Sequence, residues 1–120
     1  MNVKFKSIDR EGNLTEFTTE YHYENGIYSF NDESAEETTV FISYKDDFLA
    51  IIRSGKTNME LYLSPDETNA GNYKNDMGFE FNFISKTHKL VRTKDEIYAE
   101  YSLFVENDEV NREKLWILFN

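Results

Sequence analysis

Cysteine is absent from the 120 residues of this chain. Disulfides, thiolate metal sites and cysteine nucleophiles are thereby excluded. Histidine is scarce, with only His22 and His88. A zinc centre commonly draws several ligands from His and Cys, so neither a metal nor a cofactor is expected. No Gly-x-Gly-x-x-Gly, P-loop or Gly-x-Ser-x-Gly is present, which argues against a nucleotide-phosphate cradle and a nucleophile elbow. Positive charge is in deficit: 13 Lys and Arg face 23 Asp and Glu, for a formal net charge of −10. Recognition of phosphates needs clustered Lys and Arg. No basic stripe is present, so no nucleic acid and no membrane surface is expected as a partner.

Long apolar runs are missing too. The longest are about five or six residues, against the roughly 20 needed to span a bilayer. The stretch Met1-Asn2-Val3-Lys4-Phe5-Lys6 alternates polar and apolar and lacks the apolar core of a signal peptide. The expected location is cytoplasmic. With 39 % hydrophobic residues the chain can bury a core, and its length suits a single domain over 1–120.

No stretch carries the helical period of 3.6. A period of two runs through the chain instead. Val3, Phe5 and Ser7 alternate with Lys4 and Lys6. Phe79, Phe81 and Phe83 alternate with Glu80 and Asn82. Ile97, Ala99, Tyr101, Leu103 and Val105 alternate with Tyr98, Glu100, Ser102 and Phe104. Successive strand side chains point to opposite faces, so this pattern predicts half-buried antiparallel strands. Strands are predicted near 2–8, 14–24, 27–31, 38–44, 48–54, 58–63, 72–77, 79–86, 89–93, 96–106 and 114–119. The longer connections fall at 31–37 and 64–71.

Turn chemistry sets two registers. Asn25-Gly26 suits a type I′ turn, which needs positive φ at both central residues. That register pairs Tyr23 with Tyr28 and Tyr21 with Phe30, and places His22 outside, opposite Ser29. The second turn, Ser54-Gly55-Lys56-Thr57, is read as pairing Ile52 with Met59, Ala50 with Leu61 and Phe48 with Leu63. Arg53 and Glu60 then share the outer face, which reads as a cross-strand ion pair, the alternative being a guanidinium that binds an anionic ligand at the barrel rim. His88 is read as part of a turn. The acidic stretches 33–37 and 66–69 lack the ligand spacing of a calcium loop and read as solvated.

Many evenly spaced strands suggest a sandwich or a closed barrel. Thr38-Thr39-Val40-Phe41-Ile42, Leu49-Ala50-Ile51-Ile52-Arg53-Ser54-Gly55 and Asn58-Met59-Glu60-Leu61 resemble the bacterial YwiB-like proteins, an uncharacterised family. The resemblance implies an all-β fold: a single antiparallel, calycin-like (lipocalin-like) barrel of about eight to ten strands. The family has no established activity to carry over. Its motif residues look like hairpin architecture, and a ligand-holding lumen follows only by analogy.

The aromatic inner face is the feature with functional content. Phe17, Tyr21, Tyr23, Tyr28, Phe30, Phe79, Phe81, Phe83 and Tyr101 are expected to point inward together. One reading is a packed core, because a small barrel is only just wide enough for its own side chains. The other is a pocket with apolar walls and a few tyrosine hydroxyls. The expected function is a non-catalytic binder of a small, mainly apolar molecule; the alternative is a filled-barrel interaction module. No constellation of residues points to an enzyme. Leu115, Trp116, Ile117, Leu118 and Phe119 make the last strand apolar on both faces. One face needs a cover, which a neighbouring loop or a partner subunit, in a homodimer through Trp116, would supply.

Overall fold

A computed structural model describes residues 1–120. It contains ten strands: β1 (Asn2–Ile8), β2 (Leu14–Glu24), β3 (Ile27–Asn31), β4 (Thr38–Lys45), β5 (Phe48–Gly55), β6 (Thr57–Leu63), β7 (Thr68–Asn75), β8 (Glu80–Arg92), β9 (Glu96–Val105) and β10 (Asp108–Phe119). Each strand pairs antiparallel with its neighbours in sequence, and β1 pairs with β10 to close the barrel. Val3 faces Phe119 and Phe5 faces Ile117 across that seam. Closure leaves no strand edge unpaired, and the sandwich is set aside. No helix is long and apolar enough to cross a membrane.

The alternation read from the sequence supplies the wall. Val3, Val40, Ile42, Leu49, Leu63, Ala99 and Ile117 are fully buried on its inner face. The β2–β3 hairpin has the predicted register, with Tyr23 opposite Tyr28 and Tyr21 opposite Phe30. Asn25 and Gly26 both have positive φ, 52° and 81°. Asp46-Asp47 and Glu106-Asn107 make the same kind of turn.

Three expectations are corrected. The segments 79–86 and 89–93 form one strand, β8, with a bulge at His88 in place of a turn. There His88 Nε2 lies 2.7 Å from the Oγ of the fully buried Ser102, a cross-strand contact on the outer wall. Strand β7 already begins at Thr68, which shortens the connection expected at 64–71. The third correction matters most. In the β5–β6 hairpin Arg53 pairs with Met59, Ile51 with Leu61 and Leu49 with Leu63, one residue away from the expected register. A slip of one residue moves a whole strand face. Phe48, Ala50 and Ile52 therefore face outward, Leu49 and Ile51 are buried, and Arg53 points into the barrel. The expected outer-face pair of Arg53 with Glu60 does not form.

The cause lies in the neighbours of the turn. Lys56 alone separates the two strands. Its N–H donates to Glu37 O at 3.2 Å, and its carbonyl accepts the Asp76 N–H at 2.9 Å. The first five residues of β5 are apolar on both faces, so their own sequence does not choose a side.

Candidate functional site

An up-and-down meander sends its hairpins alternately to opposite ends of the barrel. The termini and the β2–β3, β4–β5, β6–β7 and β8–β9 turns lie at one end. Aromatic rings fill that end. Tyr28 stacks on Phe119 with centroids 4.1 Å apart, Tyr21 meets Phe119 edge-on at 5.2 Å, and Tyr23 leans on Tyr28 at 4.5 Å. The next layer inward holds Phe5, Phe17 and Phe30, with centroids 5.2 to 6.4 Å apart.

The other end, formed by the β1–β2, β3–β4, β5–β6, β7–β8 and β9–β10 turns, is hollow. A cavity of 320 Å³ opens there, within the range of small-molecule sites. Ten strands enclose more space than the eight that side chains just fill, and the aromatic packing at the closed end leaves the surplus at the mouth. One wall is apolar: Met59, Tyr73, Phe81 and Phe83. Tyr73 stacks on Phe81 at 5.1 Å and 26°.

Polar side chains flank that wall on both sides, Arg53 on β5 next to Met59 and Glu113 on β10 beyond Tyr101. Arg53, delivered inward by the β5–β6 register, donates from Nε to Asp32 Oδ2 at 3.0 Å and from Nη1 to Met59 Sδ at 3.6 Å. Its guanidinium lies 5.6 Å from the Phe5 ring centroid. Asp32 is buried, and its Oδ1 also accepts the Ser34 N–H and hydroxyl. The ion pair thus pins the β3–β4 loop against the rim. Across the cavity, Tyr101 donates its phenol to Glu113 Oε2. Asn111 Nδ2 donates to Glu113 Oε1 at 3.1 Å. No buried side-chain N or O atom lacks a partner, as buried polar groups require.

Burial, then the Glu113 charge, push the Tyr101 phenol well above the ordinary tyrosine range, with Arg53 opposing them. An unfolded chain ionises this phenol near 10. The stability it contributes is complete below that value and is lost as the pH rises toward the folded-state pKa. Urea unfolding midpoints at about pH 8 and about pH 11 should therefore fall less in Tyr101→Phe than in the unaltered chain. An equal fall in both would contradict the assignment.

The nine aromatic candidates separate by depth. Phe81, Phe83 and Tyr101 line the cavity. Phe79 stands on the rim, 60 % exposed, edge-on to Phe81. Phe17 and Phe30 pack in the layer below, and Tyr21, Tyr23 and Tyr28 belong to the closed end. Of the nine expected to point inward together, three line the cavity and five pack below it, because the barrel is packed from one end only. Sequence reasoning missed Asp32 and Glu113 and placed Arg53 on the outer face, where the structure has it in the cavity wall. A signal existed for Glu113: the alternation Leu115, Ile117, Phe119 continued back one step places it inward. Asp32, in a loop, carried none.

His22 and His88 stay on the outer wall. No group of three or more His, Asp or Glu side chains is placed to hold a metal ion. Trp116 is half-buried on the outer face, tilted against Tyr98 at 5.2 Å and capped by Lys6 Nζ at 5.0 Å from the ring centroid. Side chains of the same chain thus supply cover to this face.

A family model described as "Domain of unknown function (DUF1934)" matches residues 2–117. No curated protein matches the sequence. Among solved structures, the crystal structure of the ywiB protein from Bacillus subtilis is similar, with a TM-score of 0.72 and 16 % identity, covering 99 % of this chain and 90 % of that one. A likeness at that identity shows the shared fold.

Proposed function

The chain belongs to the DUF1934 family of YwiB-like barrels, and from that premise we propose that it is a non-catalytic binder of a small, mainly apolar molecule, held in the open mouth of the barrel. One observation carries this reading: a ten-strand barrel packed at one end by aromatic rings keeps a cavity of 320 Å³ at the other, lined by stacked aromatic rings and a few fixed polar groups. That is the usual composition of a small-molecule site. Up-and-down closure is also how lipocalins enclose ligands, which agrees with a calycin-like reading of the fold. Non-catalytic binding is favoured by the cavity's chemistry. The cavity lining holds no histidine, and the carboxylate that the Ser34 hydroxyl reaches, Asp32, is held in the ion pair with Arg53. A cytoplasmic location remains part of this proposal.

Native mass spectrometry of the gently purified protein tests it. Excess mass that leaves on denaturation is the expected result, and the departing species gives the ligand class. The same spectrum counts subunits, and a dimer would direct attention to the Trp116 face. Two variants then locate the site with the neutral apolar dye N-phenyl-1-naphthylamine. Phe81→Ala should weaken dye binding roughly tenfold, from the loss of an aromatic wall. Tyr23→Ala, at the closed end, should leave the affinity unchanged. Equal effects of the two, or no dye binding at all, would count against a site in the mouth.

A further inference from the structure

The cavity wall carries three charged side chains, Asp32, Arg53 and Glu113. Two of them neutralise each other: Arg53 Nε and Asp32 Oδ2 are 3.0 Å apart, with only 2 % of the Asp32 side chain exposed. The third has no counter-charge. Glu113 forms none of the ion pairs in the molecule. Its two oxygens accept from neutral donors, the Tyr101 phenol and the Asn111 amide. Each carboxylate oxygen has a second lone pair to offer. The mouth is thus a half-enclosed chamber, apolar along β6–β8, with one negative charge that no cation pairs fixed in its wall.

The rest of the surroundings favour the same sign of ligand. Tyr73, Phe81 and Phe83 line the cavity, and an aromatic ring attracts a cation that reaches its face. The net charge of −10 raises the local concentration of cations and repels anions. Arg53 is the only cation lining the cavity, and Asp32 already holds it.

We infer that the molecule held in the mouth is an organic monocation, a small ammonium on an apolar or aromatic body, with the ammonium on Glu113 and the body against Tyr73 and Phe81. This rests on the mouth being a binding site, and the test separates the two ideas. Calorimetric titration of the intact protein would use three molecules of nearly equal shape and different charge: 2-phenylethylamine as its ammonium, 2-phenylethanol and phenylacetate. The ammonium should bind about tenfold more tightly than the alcohol, as expected for a charge-assisted hydrogen bond in a partly desolvated site. Phenylacetate should bind most weakly. The preference for the ammonium should shrink as salt is raised. Glu113→Gln should bring the ammonium down to the affinity of the alcohol, and Glu113→Asp should keep part of the preference.

An alcohol or phenylacetate that binds the unaltered protein as tightly as the ammonium would overturn the inference. Because that comparison uses the unaltered protein, it holds even if a Glu113 variant folds poorly. If the alcohol still binds and Phe81→Ala still weakens it, the mouth remains a site and only its charge preference is wrong. If none of the three binds, the mouth is not a site for molecules of this size and both ideas fall.

Discussion

Arg53→Ala should lower the unfolding free energy by about 3 kcal/mol, through an ion pair that the fold has turned inward. The Asp32 side chain is 2 % exposed and that of Arg53 is 19 % exposed. Removing the cation leaves a carboxylate in a site that water barely reaches, and breaking a buried pair from one side costs about 3–5 kcal/mol. The lower figure applies because the guanidinium keeps some access to the cavity. A second effect is local. Asp32 ties Ser34 through its N–H and hydroxyl, so the β3–β4 loop loses its anchor at the mouth. For a domain of this size the melting temperature should drop by roughly 10 °C or more. The double variant Asp32→Asn with Arg53→Met should recover most of the loss, since no unpaired charge then remains. Denaturant unfolding of the two variants is the check. A single variant that unfolds at the same midpoint as the unaltered chain would show that the pair contributes nothing to stability.

Gly55→Ala should be comparably damaging for a different reason. Gly55 sits at φ 140°, a region that side-chain-bearing residues rarely enter. A Cβ there would lie 2.0 Å from the Glu37 carbonyl oxygen. The obstacle is backbone, and that carbonyl also accepts the Lys56 N–H, so it cannot move without breaking the tie that sets the turn. Strain and clash together should cost about 3 kcal/mol or more. Because the turn sets the register, the loss should extend to the orientation of Arg53. Near-ultraviolet circular dichroism of the folded variant, together with its melting temperature, reads both effects. A variant with unchanged stability would mean that the turn can adopt another conformation at little cost. Gly12→Ala is the useful comparison, since a Cβ at Gly12 would meet nothing within 4 Å although φ is also positive. Its cost should be the smaller backbone term alone.

Much of this protein was legible in its sequence because the physics is local. A period of two needs only the pleat of a strand, and it placed most of the ten strands. Asn25-Gly26 needs only the turn's own dihedral preference, and the β2–β3 register followed from it. The excess of Asp and Glu over Lys and Arg set the net charge of −10 with no knowledge of the fold. The Arg53-Ser54-Gly55 stretch pointed to the family, and its glycine is a hairpin requirement, as the resemblance implied.

Other features were decided by residues distant in sequence. The first five residues of β5, Phe48 to Ile52, are apolar on both faces, so their pattern is the same whichever side is buried. The contacts of Lys56 with Glu37 and Asp76, from the adjoining turns, settle the choice. That single choice turns Arg53 from a surface residue into part of the cavity wall. Strand number and closure likewise depend on β1 meeting β10 across the length of the chain. Which end of the barrel is open depends on where the large rings stack. Nine aromatics share one inner face by alternation, but alternation carries no information about depth along the barrel axis. Only the assembled barrel places Tyr21, Tyr28 and Phe119 together as a plug and leaves Glu113 facing space at the other end. The sequence by itself thus determined the strands, most of their faces and the sign of the surface charge. The tertiary structure alone decided the β5–β6 register, the buried pair and the cavity, because each depends on contacts between segments that local pattern does not connect.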